Sequence, residues 1–317
     1  MLTILAALLG VAAFLVLGGL LRWLRILRPR FDRPLLKLII RGLLPAFIFG
    51  LVAGNESLRE PIRVILPPLA GFLSIVLGFA FAATAVRLLH RRHPISLAAQ
   101  RTFIFTVGIQ NYGYIAAPVV ALLFGSEALA VLFLHNVGVD LAFWTVGVLV
   151  MSGHFSRKTF LHAINPPSIA IVMAIGVNWT GLATSIPHEL IEALRIVGQL
   201  SIPLGLILIG ATAFDHLHES DLRGNMTLII TANVLRLGLV PLAILLLAWA
   251  LPGSAELKKV MIVQAAMPSG VFAIIMAKQY NGDTPTAMRI ILSTNIICLL
   301  TTPLWLPAGM ALVGVSR

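Results

Sequence analysis

Long apolar stretches separated by short polar ones run along the whole chain. Each of ten such stretches has about 20 residues or more, the length that a helix needs to cross a bilayer. They lie roughly at 2–21, 34–54, 62–86, 102–123, 129–151, 166–184, 191–213, 226–251, 259–279 and 286–312. The loops between them are short, so we expect no separate soluble domain. The pattern predicts an all-α polytopic membrane protein with ten transmembrane helices, numbered here as segments one to ten. Asn165 before Pro166 and Pro167 predicts an N-cap at the start of segment six.

Segment four differs from most of the others because polar and helix-breaking residues interrupt its apolar run. Broken or polar helix is tolerated at membrane depth only where protein or a water-filled cavity covers it, so this stretch is a candidate binding site. Its candidate residues are Asn111, Tyr112, Gly113, Tyr114 and Pro118. Helical spacing would place Asn111, Tyr114 and Pro118 on one face, and a break near 113–118 would turn the Asn111 amide towards a cavity. The alternative role for Asn111 is a structural hydrogen bond between helices.

Landmarks recur at an offset of half the chain, which indicates an internal repeat. The pairs are Pro45 with Pro203 at 158 residues, Gly125 with Gly282 at 157, and Asn136 with Asn295 at 159. Each half, 1–155 and 156–317, contains five predicted segments. Because five is odd, the halves enter the membrane from opposite sides, and the sequence predicts an inverted repeat.

In that repeat, segment nine is the counterpart of segment four and is interrupted in the same way. Its candidate residues are Gln264, Pro268, Ser269, Gly270, Val271 and Phe272. Proline removes a backbone donor and glycine allows a sharp bend. Paired interrupted segments in corresponding positions point to a substrate site near the bilayer midplane, although proline and glycine are also frequent in ordinary spanning helices.

Segment five contains the deepest acid, Asp140, with Asn136 one turn earlier on the same face. A carboxylate at that depth is costly unless it is paired or protonated, so it is a functional candidate by default. We expect Asp140, Asn136 and Arg236 to take part in ion or proton coupling. The structural alternative is a buried pair between Asp140 and Arg236, the deepest base, and the two readings are compatible if the pair breaks during transport.

Composition and charge agree with a membrane protein. Hydrophobic residues make up 59% of the chain, charged residues 11%, and the mean hydropathy is +0.98. The net charge of +11 reflects loops rather than a nucleic-acid surface. Fourteen Lys and Arg residues fall on the side of the loops after segments one, three, five, seven and nine, against six on the opposite side. This asymmetry predicts a multi-pass protein of the plasma membrane, the bacterial inner membrane, with both termini outside.

Chemistry of soluble enzymes is absent from the sequence. It has no Gly-rich phosphate loop, no H-E-x-x-H and no Asp-rich cluster, and its one cysteine, Cys298, lies in an apolar run. We therefore expect no enzyme activity, no cofactor and no metal site. Without a nucleotide motif, any uphill movement would draw on an ion gradient or the membrane potential.

The residues resemble the auxin efflux carrier family, which includes plant PIN proteins and bacterial malonate-type carriers. The resemblance is carried by A-A-M-P-S-G-V-F-A-I-I-M-A-K-Q-Y-N-G, by Asn111 with Pro118 seven residues on, by I-N-P-P at 164–167 and by I-P-L-G-L-I-L-I-G at 202–210. The chain departs from the family in its short link around 153–165, where plant carriers have a long loop. It also departs at Phe272, where the family often has a further proline.

The resemblance implies two inverted five-helix repeats, with helices four and nine broken and crossing at a central site. It implies a scaffold formed by helices in 1–54 and 166–213, and a transport domain formed by helices in 62–151 and 226–312 that moves like an elevator. Asn111 and Pro118 become crossover residues of helix four, and Pro268 to Phe272 become the crossover of helix nine.

Together these observations predict a secondary active transporter or facilitator for a small organic anion, a carboxylate of auxin-like or malonate-like type. Its expected partners are that anion, the lipid bilayer and either a proton or sodium, and a homodimer stays open. Two alternatives remain. One is a sodium-coupled organic anion symporter of the bile-acid type, and the other is a membrane sensor that binds a ligand without moving it.

Overall fold

The computed structural model describes residues 2–154, 161–219 and 225–316, and within them it contains helices but no strand. The all-α prediction is confirmed for this part of the chain. The predicted boundary between the halves, at 155–156, lies outside the described residues. So do Arg157, Lys158 and Arg223, three of the loop charges used to orient the chain.

The helices follow one another with short connections. They are α1 Leu2–Trp23, α2 Asp32–Leu38, α3 Leu44–Val52, α4 Pro61–Arg92, α5 Leu97–Gly108, α6 Ala116–Ala142, α7 Val148–Ser152, α8 Pro166–Trp179, α9 His188–Gly198, α10 Ser201–Glu219, α11 Met226–Val234, α12 Val240–Ala250, α13 Ala255–Ala266, α14 Phe272–Gln279 and α15 Thr284–Val313. Single π-helical turns at Ile39–Leu43, Phe143–Gly147 and Leu235–Leu239 join α2 to α3, α6 to α7 and α11 to α12.

Seven helical runs in the described part of the chain are long and apolar enough to cross a membrane. They are Ala6–Trp23, Pro29–Val52, Pro61–Arg92, Ala116–Ser152, His188–Asp215, Met226–Ala250 and Thr284–Val313. These runs coincide with predicted segments one, two, three, five, seven, eight and ten. Segment six falls on the shorter α8, segment four on α5 and the start of α6, and segment nine on α13 and α14. The count of ten transmembrane helices stays a prediction.

Serine begins each of the two helices that precede an interruption. Ser96 Oγ accepts the N–H of Ala99 (3.2 Å) at the start of α5, and Ser254 Oγ accepts the N–H of Leu257 (3.2 Å) at the start of α13. Each cap satisfies a backbone donor that the first helical turn leaves without a partner. Both helices are 12 residues long, too short to span a bilayer alone.

Seven described residues have a positive φ, and two of them, Gly125 and Asn281, lie near corresponding positions of the two halves. Gly125 has φ +81° inside α6, which divides that helix at a kink. Near the corresponding position of the second half Asn281 has φ +51°, whereas the predicted landmark Gly282 has no positive φ. Asparagine tolerates this conformation better than most residues. The position of Gly282 leaves no room for a side chain, because a Cβ there would lie 2.6 Å from Thr102 Oγ1.

Small residues let the longest helices approach closely. A Cβ at Gly138 of α6 would overlap the carbonyl of Pro68 in α4, and one at Gly210 of α10 would overlap the carbonyl of Leu15 in α1. Close backbone approach through glycine is typical of helix pairs in membranes. Buried side chains of α1, α3, α6, α8 and α13 form the largest apolar cluster. This cluster holds α6 and α13, the two helices that carry the site, against the rest of the bundle.

Candidate functional site

Two helix interruptions meet inside the bundle. The first separates α5 from α6, and the second separates α13 from α14. Their backbones pair as a single antiparallel bridge between Gln110 and Ser269. The N–H of Asn111 donates to the carbonyl of Pro268 (2.7 Å), and the N–H of Gly270 donates to the carbonyl of Ile109 (2.9 Å). Each interruption thus provides hydrogen-bond partners for backbone groups of the other that have lost their helical partners. Unpaired backbone groups are costly in the low-dielectric interior.

The first interruption starts earlier than the sequence predicted. Helix α5 ends at Gly108 and α6 begins at Ala116, so the chain leaves the helix before Gly113. Pro118 lies in the first turn of α6, where its missing N–H costs no intrahelical bond. Because residues 109–115 are not helical, the predicted common helix face of Asn111, Tyr114 and Pro118 is wrong. The second interruption, 267–271, matches the prediction within one residue, and Phe272 is the first residue of α14.

The carbonyl of Tyr112 is held by two amide side chains. Asn136 Nδ2 on α6 donates to it over 3.1 Å, and Gln264 Nε2 on α13 donates to it over 3.0 Å. Gln264 Nε2 also donates to Asn136 Oδ1 over 3.1 Å. These three residues form a closed triangle that ties the first interruption to both helices. Asn136 and Gln264 therefore support the crossing directly.

The second interruption is held in a similar way by Asn295 of α15. Its Nδ2 donates to the carbonyl of Ser269 (3.2 Å) and to that of Ile291 (2.8 Å). The adjacent Thr294 Oγ1 accepts the N–H of Ser269 (3.4 Å). One asparagine thus binds a carbonyl in each interruption, Asn136 in the first and Asn295 in the second.

Asp140 joins the crossing to the start of α8. Its Oδ1 accepts the hydroxyl of Tyr112 (2.7 Å), and its Oδ2 accepts from Asn165 Nδ2 (2.9 Å). Asn165 is also the N-cap of α8, because its Oδ1 accepts the N–H of Ser168 (2.9 Å). The sequence predicted the cap, and that prediction is confirmed. The bond from Asn165 to Asp140 was not foreseen.

The alternative pair between Asp140 and Arg236 is not formed. The four ion pairs in the described part of the chain involve neither residue. Arg236 is fully buried, and its Nη2 reaches the carbonyl of Ala265 at 3.5 Å. The pair does not form because each partner is engaged elsewhere, Asp140 with Tyr112 and Asn165, and Arg236 at the end of α13.

Comparisons with known proteins agree with this architecture. A family model described as "Membrane transport protein" matches residues 154–306. An uncharacterized transporter of Methanothermobacter thermautotrophicus is 26% identical over 303 residues, covering 94% of this chain and 95% of that protein. An uncharacterized transporter of Methanocaldococcus jannaschii is 23% identical over 287 residues, covering 88% and 90%. The resemblance to the auxin efflux carrier family is confirmed. The protein is a membrane transporter, and its second half matches the model of this family.

In this transporter the crossing carries several buried polar atoms without a hydrogen-bond partner. Both side-chain amide atoms of Gln110, the Oε1 of Gln264 and the Oγ of Ser269 make no bond in the described part of the chain. Asn111, 6% exposed, uses its Oδ1 to accept the N–H of Ile115 (3.4 Å). Unsatisfied polar groups are rare in protein interiors and call for an occupant such as water, an ion or a ligand.

One edge of the crossing is accessible. Tyr112, Gly113, Tyr114 and Val271 are partly exposed, and Phe272 is 37% exposed. A ligand approaching this edge would meet two aromatic rings from the first interruption and the start of α14.

Tyr114 also connects the crossing to α10. A Cβ built on Gly205 would overlap Cε1 of the Tyr114 ring, so the ring lies directly on the backbone of α10. This contact and the bond from Asp140 to Asn165 are both points where the crossing meets helices of the predicted scaffold.

A cavity of about 900 Å³ opens at the end of the bundle where α3, α8 and α9 have their connections. Its lining includes Arg59, Glu127, His188, Glu192 and Arg195 and none of the residues of the crossing. Acidic and basic groups are mixed there, and Arg195 is paired with Glu192 (2.6 Å). In the described part of the chain, no three His, Cys, Asp or Glu residues are grouped as metal ligands.

Sequence reasoning missed three residues of the site. Asn165 was recognised only as a helix cap, and Asn295 only as a landmark of the repeat. Gln110 lies in the polar stretch of segment four but was not selected. The signal for Asn295 was available, because its counterpart Asn136 was already a site candidate.

Proposed function

We propose that the protein is a secondary transporter or facilitator for a small organic anion, bound where the two interrupted helices cross. The observation that carries this proposal is the paired crossing itself, Asn111 to Pro268 and Gly270 to Ile109, with unpaired polar atoms around it. Paired interrupted helices are where secondary transporters of several folds bind substrate.

The chemistry of the crossing favours a carboxylate. Two helices, α6 and α14, begin there, and helix N-termini present backbone N–H groups and a partial positive charge. The amide of Asn111 lies beside these ends. The proposed substrate site comprises the residues predicted from the sequence on both interruptions, with Gln110 added.

We also propose that the halves of the chain form an inverted repeat. Three observations support it: the amide bonds of Asn136 and Asn295 to one carbonyl in each interruption, the left-handed residues Gly125 and Asn281, and the serine caps of α5 and α13. Similar caps, kinks and side-chain bonds at corresponding positions are expected when two halves of a chain are structural repeats.

An elevator mechanism would divide the bundle into two bodies. In the proposed scaffold, α1 packs on α10, and α3 packs on α8 and α9. In the proposed transport domain, α4 packs on α5 and α6, and α13 on α15. Movement of one body past the other would have to break the bond from Asp140 to Asn165 and slide Tyr114 off Gly205.

For the membrane setting we propose the bacterial inner membrane with both termini outside, supported by the excess of Lys and Arg on one set of loops. We propose Asp140 as the group that couples transport to a proton. Its carboxylate contacts both the crossing and the start of α8, so protonation would change both contacts. A homodimer stays a prediction.

The proposal is tested in proteoliposomes with the purified chain. Dicarboxylates, monocarboxylates and aromatic acids are offered in turn, with proton and sodium gradients imposed separately. Asn111→Ala should weaken binding of the transported acid about tenfold or more, as expected when a charge-assisted hydrogen bond is lost. The matched control is Asn178→Ala, which removes a buried amide of α8 that donates to the carbonyl of Asn55 (2.7 Å), far along the chain from the crossing.

Each outcome separates the candidates. Unchanged affinity and transport in Asn111→Ala would remove that residue from the site. Saturable binding without accumulation in the vesicles would favour the membrane sensor. Transport that stops when sodium is replaced by choline would favour the sodium-coupled symporter.

A further inference from the structure

Arg236 is a charged side chain that the proposed transport site does not use. It lies in the π-helical turn Leu235–Leu239 and is completely buried. A guanidinium stays protonated under all ordinary conditions, so this is a permanent positive charge inside the bundle. Its Nε and Nη1 have no hydrogen-bond partner, and no described carboxylate lies within ion-pair distance of it. Such a charge requires compensation from its surroundings.

The one hydrogen bond of this guanidinium within the described part of the chain goes to the end of α13. The last carbonyls of a helix have no partner within the helix and carry about half a negative charge. Here the carbonyl of Gln264 accepts the N–H of Met267 (3.3 Å), and that of Ala266 accepts Thr302 Oγ1 (3.1 Å). The carbonyl of Ala265 is the one that Arg236 Nη2 approaches, at 3.5 Å.

In transporters with interrupted helices, exposed carbonyls and helix C-terminal ends of this kind coordinate the coupling sodium ion or proton. The end of α13 has the same chemistry, a partial negative charge in a water-poor interior. In this chain the group beside it is a covalently attached cation that cannot dissociate.

The end of α5 is treated differently. There the carbonyl oxygen of Gly108 faces Gly78 of α4. A Cβ built on Gly78 would lie 2.7 Å from that oxygen. Gly78 and Arg236 are 158 residues apart, the same offset as Pro45 and Pro203. The position that faces the end of α5 is therefore a glycine, and the corresponding position at the end of α13 carries a guanidinium.

We propose that Arg236 is a resident cation of the second interruption, in the place where a sodium-coupled carrier would bind a monovalent metal ion. Its charge stabilises the end of α13 permanently, so sodium has no role at that end. The thermal-stability part of this inference is independent of the proposed function, whereas the transport part rests on it.

The first test measures the thermal stability of the purified protein in sodium chloride and in choline chloride of equal ionic strength. The wild type should unfold at the same temperature in both salts. Arg236→Gln should unfold about 5 °C or more lower in choline, as the loss of a buried charged contact implies, and should recover part of that loss in sodium. Arg236→Lys, which keeps the charge, should show no sodium effect. Arg41→Gln, an exposed arginine at Ile39–Leu43, is the matched control and should behave as the wild type.

A sodium-specific stabilisation of the wild type would overturn the inference, as would an Arg236→Gln protein of wild-type stability in choline. If Arg236→Gln cannot be purified, the wild type and Arg236→Lys still decide the question, because sodium stabilisation of either contradicts a resident cation. The second test repeats transport with sodium replaced by choline, and the inference requires unchanged wild-type rates. Failure to find any transported anion would defeat the proposed function while leaving the stability test intact.

Discussion

Asn111 donates its backbone N–H to the carbonyl of Pro268 over 2.7 Å, and the two residues are 157 positions apart, the offset that also separates Gly125 from Gly282. Under the proposed repeat, this bond joins a residue to its own counterpart and marks the centre of the crossing. Proline has no N–H, so the reciprocal bond from Pro268 to Asn111 cannot form. The second bond of the crossing runs instead from the N–H of Gly270 to the carbonyl of Ile109, so each interruption supplies one backbone donor and one backbone acceptor.

The close approach of the two interruptions can be tested at Gly270. A Cβ there would lie 3.0 Å from the carbonyl oxygen of Gln110, closer than ordinary contact. Gly270→Ala should therefore destabilise the protein by about 1–3 kcal/mol, the usual cost of overpacking, seen as a lower unfolding temperature. Gly113→Ala is the matched control in the other interruption, because a Cβ there meets nothing within 4 Å. Equal stability of the two variants would contradict the close contact.

The amide triangle predicts unequal effects of two related substitutions. If Asn136 is changed to Ala, the carbonyl of Tyr112 keeps the bond from Gln264. If Asn295 is changed to Ala, the carbonyl of Ser269 loses the one side-chain donor that it has in the described chain. Asn295→Ala should therefore cost about 1 kcal/mol more than Asn136→Ala in free energy of unfolding.

Adding Gln264→Ala to Asn136→Ala removes both donors from the carbonyl of Tyr112. The double variant should then lose more stability than the sum of the single variants, by more than about 0.5 kcal/mol. Chemical unfolding of the four proteins forms the cycle that measures this difference. Strict additivity would show that the triangle does not act as a unit.

Local features of the sequence were enough to find the two interruptions. Pro268 with Gly270, and Gly113 with Pro118, stand out in apolar runs because neither residue type favours the interior of a helix. The cap at Asn165 was equally visible, because asparagine before two prolines is a local signal for a helix start. These predictions depend on a few neighbouring residues, and the fold did not need to be known.

The contacts of the site were harder to predict because they depend on how distant segments pack. Helical spacing predicts that Asn111 and Tyr114 share a helix face. The backbone there is not helical, because it forms hydrogen bonds to the second interruption instead. Arg236 was paired with Asp140 as the deepest base with the deepest acid. The depth of a residue in the membrane does not tell which way its side chain points around the helix axis. In the structure Asp140 accepts a hydrogen bond from Asn165 instead.

The contact between Tyr114 and α10 predicts a steric coupling between the crossing and the proposed scaffold. In Gly205→Ala the new methyl group would overlap the tyrosine ring, so the ring or α10 must move. We expect this variant to lose about 1–3 kcal/mol of stability and part of its transport rate. Gly205→Ala should cost less in a Tyr114→Ala background than in the wild type, because the ring that it would overlap is absent there. Gly176→Ala in α8 is the control, because a Cβ there meets nothing within 4 Å. An equal cost of Gly205→Ala in both backgrounds would contradict the contact.

The bonds of Asp140 separate a coupling role from a structural one. Asp140→Asn cannot be protonated, but its amide oxygen can accept from Asn165 Nδ2 while its NH2 group donates to the Tyr112 hydroxyl, so it loses the titratable group and can keep both bonds. Asn165→Ala loses the bond to Asp140 and keeps the carboxylate. If Asp140 couples transport to a proton, uptake driven by an imposed pH gradient in proteoliposomes should vanish in Asp140→Asn and persist, at a reduced rate, in Asn165→Ala. Loss of the pH-driven component in both variants would show that coupling needs the bond as well as the carboxylate. Its persistence in Asp140→Asn would exclude this carboxylate as the coupling group, because an amide at that position has no proton to exchange.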